Sequence, residues 1–205
     1  MLSQGDDSGD KDLLTFLKQE IKDKYNKPGN VYLGLVHRLD RATGGIMVFA
    51  RTSKGAARLS EQIRNRTFEK TYLAVVRGVV YPLEGTFKDY LLKDNSRNIV
   101  KTVDAGKDGK EAILKYRTVG SINNLTLLQI DLLTGRSHQI RVQFASRGFP
   151  LLGDGKYGED DTNKNTISLW SYGVRFKHPT RDEIMEFKLH PPKKYPWDIF
   201  PRVER

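Results

Sequence analysis

The stretch His37-Arg38-Leu39-Asp40-Arg41-Ala42-Thr43-Gly44-Gly45-Ile46-Met47-Val48-Phe49 decides how the rest of the chain is interpreted. It joins two apolar runs, residues 31–36 and 46–50, whose composition is typical of short core strands. Asp40 lies between these runs, just ahead of a Gly-Gly bend. A carboxylate that is buried without partners is costly, so an aspartate at this position suggests a functional need.

The composition favours a globular protein with a polyanionic partner. The 205 residues are 38% hydrophobic and 29% charged, and the formal net charge is +10. A chain of this length can bury a sizeable core, and its basic balance points to nucleic acid before membrane. With no cysteine, disulfides and thiolate sites are excluded. We find no apolar run of about 18 residues and no leader-like N-terminus, so we expect a cytoplasmic protein.

The order of apolar periodicities predicts an α+β fold. Asp10 can cap a first helix, and Gly148 can end a third one in the left-handed role. We expect helices near 10–25, 53–65 and 137–146, strands near 71–76, 125–133, 168–176 and 184–189, and an exposed hairpin or loop over 93–111. Runs of strands broken by isolated helices indicate a mixed, mainly antiparallel sheet with flanking helices and loops.

Asp40 is the first candidate for chemistry. Arg38 and Arg41 would hold its carboxylate ionised, and an ionised carboxylate can act as nucleophile, base or electrostatic partner. An isolated aspartate ahead of Gly44 and Gly45 is more often a turn cap, so the interpretation depends on the rest of the chain.

A second candidate segment covers residues 133–141. It resembles a strand that enters a glycine turn and a helix N-terminus, a geometry that presents backbone N–H groups to an anion. On a helix, Ser137, His138 and Arg141 would share one face. Arg141 lies in an apolar helix and should need a buried anionic partner, for which Asp40 is the candidate; the alternative is a snorkelling surface arginine. His138 alone is interpreted as a structural hydrogen-bonding residue.

A third segment, residues 68–78, reads as a strand that carries Tyr72. Alternation puts Tyr72 and Ala74 on one face and Leu73 and Val75 on the other. Tyr72 is either an ordinary strand aromatic, or a ring that stacks on a base or moves a proton.

Five segments, in order, resemble the motifs of the RluA-type RNA pseudouridine synthases. The family patterns are H-R-L-D-x-x-T-S-G, K-x-Y-x-A-x-V-x-G, T-G-R-x-H-Q-I-R, G-x-P-[IL]-L-G-D-x-x-Y-G and L-H-A-x-x-L-x-F-x-H-P, matched here at 37–45, 70–78, 134–141, 148–158 and 169–179. Several ordered matches are far more specific than any one of them. The resemblance implies the pseudouridine synthase fold.

The resemblance also implies roles for individual residues. Asp40 would be the catalytic aspartate, Tyr72 the active-site tyrosine, Arg141 the arginine that pairs with Asp40, and Arg38 the side chain that helps displace the target nucleotide. The residues expected to contact substrate or RNA are His37, Arg38, Thr43, Gly135, Arg136, His138 and Gln139. The reaction breaks the C1′–N1 bond of uridine, rotates the bound uracil and rejoins it through C5, without cofactor or metal. Whether the aspartate attacks C1′ or removes a proton from C2′ stays open.

The chain departs from the family pattern at several points. Gly44 stands where the family has serine, and Leu169-Trp170-Ser171 stands for L-H-A. The family's N-terminal strand ending in N-K-P-x-G is not found, nor is an S4-type RNA-binding domain. We therefore expect one catalytic domain over residues 1–205, without that strand.

The expected partner is structured RNA, ribosomal or transfer, with no membrane and no obligatory protein partner. One alternative is a catalytically silent RNA-binding domain on the same fold, although Asp40, Tyr72 and Arg141 are all present. Another is a hydrolase of free nucleosides, which would want a second acid and no basic excess. A metal enzyme is disfavoured because the four histidines are scattered, with no metal-ligand spacing.

Overall fold

Ten strands and three helices form the part of the chain that the computed structural model describes, residues 12–158 and 167–201. The helices are α1 (Leu13–Lys24), α2 (Ser53–Arg64) and α3 (Gln139–Ala145). The strands are β1 (Gly34–Leu35), β2 (Gly44–Gly45), β3 (Phe49–Ala50), β4 (Glu69–Arg77), β5 (Glu84–Asp94), β6 (Ile99–Val103), β7 (Lys110–Ile122), β8 (Leu125–Leu132), β9 (Leu169–Lys177) and β10 (Ile184–Lys188).

These elements group into two compact units, each built from separated segments. Of the described residues, the smaller unit contains 12–41, 47–68 and 175–186, and the larger contains 42–46, 69–158, 167–174 and 187–201. The expectation of one catalytic domain without the family's N-terminal strand stays a prediction.

The larger unit is organised around a mixed sheet. Within this unit, residues 169–174 of β9 are followed across the sheet by β4, β8, β7, β5 and β6, and β2 pairs with β9. The pairs from β4 through β8, β7 and β5 to β6 are antiparallel, whereas β2 runs parallel to β9. This architecture confirms the predicted α+β class with a mainly antiparallel sheet.

Two layers cover the two faces of this sheet. On one face α3 packs through Phe144, whose ring lies edge-on at 5.0 Å from Phe87 and 5.6 Å from Tyr116. On the other face, Trp197 and Phe200 from the C-terminal segment join a buried cluster with Leu73, Val75, Leu125 and Leu127. The alternation of β4 therefore separates Tyr72 from Leu73 as predicted, and Tyr72 belongs to the face that α3 covers.

The smaller unit contains α1, α2 and the short β1–β3 pair. Thr52 caps α2 by accepting from the Gly55 N–H at 3.0 Å. The side-chain amide of Gln62 on α2 makes two hydrogen bonds to the backbone of Lys177: Nε2 donates to the carbonyl and Oε1 accepts from the N–H, both at 2.9 Å. The Phe68 ring stacks on Phe176 at 4.9 Å, and the same unit buries Leu33 and Leu59, so its small core is both aromatic and aliphatic.

Two predicted helix starts are corrected. The predicted cap Asp10 lies outside the described residues, and Asp12 caps α1 by accepting from the Thr15 N–H at 2.9 Å. The third helix begins at Gln139 and not at Ser137, because His138 adopts a left-handed conformation (φ 51°) that no helix interior tolerates.

Most of the other predicted elements agree with the structure, but the apolar runs 31–36 and 46–50 form strands of only two residues each, β1 and β3. The second helix and the four predicted strands are found to within about two residues, as expected for boundaries. The polar stretch 93–111 spans the β5–β6 hairpin and the turn into β7. Gly148 follows α3 with a positive φ of 81°. No helix in the described ranges is long and apolar enough to cross a membrane.

Candidate active site

Asp40 lies in the smaller unit, in the segment between β1 and β2. Its side chain is half-buried, while those of Arg38 and Arg41 are exposed. His37 fixes the start of this segment: its Nε2 accepts from the Val48 N–H at 3.0 Å, and its ring lies 5.7 Å from that of Phe68. The carboxylate is thus carried on a short segment anchored to the backbone just before β3.

Tyr72 lies in the larger unit, in the middle of β4, and is 5% exposed. It pairs with Ile130 of β8, which pairs in turn with Tyr116 of β7, so the three side chains form one row on the α3 face. A nearly buried tyrosine on this face presents a ring to the α3 side of the sheet.

Arg141 on α3 forms a buried ion pair with Asp154. The guanidinium donates from Nε to Oδ2 at 2.7 Å and from Nη2 to Oδ1 at 2.8 Å, and the two side chains are 8% and 0% exposed. This bidentate geometry is the strong form of an arginine–carboxylate contact. The buried anionic partner that the sequence demanded therefore exists, but the residue that supplies it in this unit is Asp154.

The environment of Asp154 keeps its carboxyl group ionised. Burial acts to raise its pKa, but the hydrogen bond and charge of Arg141 and the backbone N–H groups of Lys156 and Tyr157 outweigh burial, so the pKa of Asp154 is lowered. The pair is therefore charged at neutral pH and holds α3 to the 151–158 loop.

Tyr157 adds further contacts between α3, the loop and β6. Its ring lies 5.0 Å from the Arg141 guanidinium carbon. Its hydroxyl contacts His138 Nδ1 at 2.7 Å and accepts from the Val100 N–H at 2.9 Å. The interpretation of His138 as a structural hydrogen-bonding residue agrees with this contact.

The turn between β8 and α3 is shaped by a buried polar network. Gln139 Oε1 accepts from the Thr134 hydroxyl at 2.8 Å and from the Arg136 N–H at 3.0 Å. Its Nε2 donates to the Ile113 carbonyl at 3.1 Å and to Gln143 at 3.1 Å. The expectation that the Arg136 N–H faces an anion is therefore wrong, because Gln139 occupies it. The expected shared helix face is also wrong, because Ser137 and His138 precede α3, whereas Arg141 lies within it.

With this geometry described, comparison with known proteins identifies the family. The model of the RNA pseudouridylate synthase family matches residues 1–146. The chain belongs to the RNA pseudouridylate synthase family.

Curated relatives agree with this assignment. An uncharacterized RNA pseudouridine synthase of Aquifex aeolicus is 35% identical over 197 residues, which cover 89% of this chain and 61% of the relative. The ribosomal large subunit pseudouridine synthase C of Haemophilus influenzae is 34% identical, over 78% of this chain and 52% of the relative. The chain thus spans between half and two thirds of the length of these relatives.

Solved structures support the fold. The human protein named RNA pseudouridylate synthase domain containing 4 aligns with a TM-score of 0.78 at 20% identity, over 94% of this chain and 82% of that one. The human protein named RNA pseudouridylate synthase domain containing 1 aligns with a TM-score of 0.68 at 22% identity, over 88% and 76%. At these identities the likeness concerns the fold alone.

The residues predicted for the synthase site fall into two groups. His37, Arg38 and Asp40 belong to the smaller unit, whereas the larger unit contains Tyr72 and the predicted residues Thr43, Gly135, Arg136, His138, Gln139 and Arg141. The structure brings together the members of the 134–141 segment. The predicted pairing of Arg141 with Asp40 joins the two units and stays a prediction.

Some predicted RNA contacts have internal partners. Gln139 is 3% exposed, with its amide occupied inside the protein, which favours a structural role over contact with RNA. Arg136 is exposed, and its Nε donates to the Glu111 carbonyl at 2.9 Å. The predicted contact residue Thr43 differs, because its hydroxyl is buried and has no hydrogen-bond partner within the described ranges.

Two departures from the family pattern, Gly44 and Trp170, are coupled because the two residues lie against each other. Gly44 on β2 is the register partner of Trp170 on β9. A Cβ at residue 44 would overlap the six-membered ring of Trp170. The serine of the family cannot coexist with tryptophan at 170 in this geometry, so the glycine accommodates the larger ring.

Asp154 is the site residue that the sequence analysis did not single out. The available signal was its place in the G-D-x-x-Y-G pattern, in a chain with an arginine that required a buried acid.

Within the described ranges, no group of three or more histidine, aspartate or glutamate side chains could hold a metal ion.

Proposed function

We propose that this protein isomerises uridine to pseudouridine in structured RNA, with Asp40 acting at the ribose of a displaced nucleotide. Membership of the RNA pseudouridylate synthase family carries the proposal. Asp40, Tyr72 and Arg141 are all present at the positions where the family's motifs have their catalytic residues. The curated relatives that act on the large ribosomal subunit by name make ribosomal RNA the first substrate class to test.

Asp40 would cleave the glycosidic bond. Either its carboxylate attacks C1′ and uracil leaves from N1, or it removes the C2′ proton and a glycal forms as uracil leaves. In both routes uracil then turns within the site. On the first route C5 attacks C1′ and displaces the Asp40 carboxylate; on the second, C5 bonds to C1′ of the glycal while C2′ regains the proton that Asp40 had taken. Loss of the C5 proton and protonation of N1 then complete the isomerisation on either route. The exposed Arg38, two residues before Asp40, would help to displace the target nucleotide from the RNA stack.

Arg141 and Tyr72 would support that step. The bidentate contact with Asp154 fixes the guanidinium of Arg141 before any substrate arrives, so the arginine is preorganised. A guanidinium next to Asp40 would orient that carboxylate through charge-assisted hydrogen bonds. Tyr72 would stack against uracil and assist removal of the C5 proton.

The net charge of +10 supports binding to the RNA backbone. Unstacking the target nucleotide costs a few kcal/mol, and phosphate contacts from lysine and arginine can offset that cost. The same charge would serve a catalytically silent RNA-binding domain, which is the competing function.

Mapping pseudouridine separates the two functions. Total RNA from cells with and without the gene would be mapped, and RNA from the cells without it would then be treated with purified protein. We expect at least one site to vanish without the gene and to return on treatment. An unchanged map together with RNA binding by the purified protein would favour the silent domain.

A further inference from the structure

Lys70 is a nearly buried cation on the face of the sheet that carries Tyr72. It is 8% exposed and lies two residues before Tyr72 on β4, so both side chains project to the same side. Lysine is almost never buried to this extent unless its charge is paired. Within the described ranges, no carboxylate or hydrogen-bond acceptor contacts its ammonium.

The ammonium lies beside the turn between β8 and α3. A Cβ added at Gly135 would be 3.3 Å from Lys70 Nζ, which places the nitrogen against the backbone of this exposed glycine. The polar groups on either side are occupied elsewhere, since Thr134 and Gln139 bond each other and the Arg136 Nε bonds the Glu111 carbonyl. The nitrogen is therefore close to the surface without a protein partner in that turn.

The charge of Lys70 is destabilising in the protein alone. Burial lowers the pKa of its ammonium, and among the residues that the structure describes no charge or hydrogen bond opposes that effect. An apolar side chain of the same length would fill the space without this cost. A buried, unpaired charge two residues from a candidate catalytic residue is typical of a group that binds a ligand, since the ligand then supplies the missing partner.

We propose that Lys70 binds a phosphate of the RNA backbone beside the target uridine. An ammonium is a compact point charge with three donors, suited to a phosphate oxygen. Gly135 has no side chain to keep the RNA backbone from the turn, so a phosphate could approach the nitrogen closely. This inference rests on the proposed function, because it needs RNA bound on the Tyr72 face.

The test compares Lys70→Met with Lys115→Met. Lys115 is an exposed lysine of β7 whose side chain belongs to the opposite face of the same sheet, since Lys115 pairs with Asp131 and Asp131 pairs with Thr71. We expect Lys70→Met to melt at a higher temperature than the parent and yet to bind RNA about tenfold to a hundredfold more weakly. For Lys70→Met, the slope of the logarithm of the RNA-binding constant against the logarithm of the salt concentration should be smaller in magnitude by about one. Lys115→Met should change RNA affinity by less than about threefold.

The probe is a transcript that contains a uridine modified by the parent protein in the mapping experiment. A single methylphosphonate, placed in turn at each phosphate near that uridine, removes one charge from the RNA. At one position the parent should lose affinity while Lys70→Met loses none, because the contact is already absent.

The outcomes separate the two proposals. If the parent modifies no transcript, the proposed function fails, and the Lys70 inference fails with it. If the parent modifies RNA but Lys70→Met binds it with parental affinity and salt slope, or is as sensitive as the parent to every methylphosphonate, the Lys70 inference alone is overturned. A Lys70→Met protein that melts at a lower temperature and keeps parental affinity would make the lysine merely structural.

Discussion

Breaking the buried Arg141–Asp154 pair should destabilise the protein far more than replacing both partners. In Asp154→Asn the guanidinium, 8% exposed, loses two hydrogen bonds of 2.7 and 2.8 Å to a carboxylate and faces an amide instead. Each charge-assisted bond contributes about 1.5–3 kcal/mol, and a stranded buried charge costs about 3–5 kcal/mol in total. For a chain of this size, that loss lowers the melting temperature by roughly 6–20 °C.

In the double variant Arg141→Met/Asp154→Asn, neither member of this pair remains as a stranded buried charge. We expect it to lose only about 1–2 kcal/mol, so the coupling between the two changes should be at least about 2 kcal/mol. Urea unfolding of the parent, both single variants and the double variant measures this coupling. A matched cycle on the exposed pair Lys107–Asp104, which is equally short at 2.7 Å, should give less than about 1 kcal/mol.

The same pair sets an acid limit on stability. Because the pKa of Asp154 is lowered in the folded protein, its contribution is present above the unfolded value of about 3.9 and is lost as the pH falls through the lower folded value. The free energy of unfolding of Asp154→Asn should therefore fall less steeply than that of the parent below about pH 4. Additive single effects, or equal acid slopes, would contradict the buried ion pair.

Two further substitutions test the packing around the site. Gly44→Ser should lower the free energy of unfolding by about 1–3 kcal/mol, because its Cβ overlaps the Trp170 ring. Adding Trp170→His should recover much of that loss. Equal melting temperatures for Gly44→Ser and the parent would refute the coupling. Tyr157→Phe removes a hydroxyl with two hydrogen-bond partners and should lower the free energy of unfolding in urea by about 1–3 kcal/mol. The control Tyr195→Phe, at an exposed ring, should leave it unchanged. Equal effects of the two substitutions would argue against the role of the Tyr157 hydroxyl.

Periodicity and composition predict β4, β8, β9 and β10 but not the long strands β5 and β7. The strands β4 and β8 carry aliphatic and β-branched residues on both faces, which is the pattern of a sheet covered on both sides. The helix α2 follows from its apolar spacing and a capping threonine. Local signals of this kind are sufficient where burial and propensity agree.

The start of α3 could not be predicted because a tertiary contact decides it. The Gln139 amide captures the Thr134 hydroxyl and a backbone N–H of the preceding turn, and His138 takes a left-handed conformation. None of these contacts leaves a trace in helical spacing.

The partner of Arg141 shows the same limit for the site. The sequence indicated a buried arginine that needed an acid, but several acids are available in the chain, and only the fold brings Asp154 to within 2.7 Å of it. For Lys70 the sequence indicates only a place in a motif, because burial without a partner is a property of the packed protein and not of the residue type.

Release of tritium from RNA made with [5-³H]uridine measures the role of Asp40. Isomerisation replaces the C5 hydrogen with the bond to C1′, so each turnover sends one tritium atom into water. We predict release by the parent and by Asp108→Asn, a control at an exposed turn residue with a positive φ that asparagine tolerates. Asp40→Asn should release none while it binds RNA within about tenfold of the parent, because phosphate contacts supply most of the affinity. Release by Asp40→Asn at the parental rate would contradict the catalytic role of Asp40.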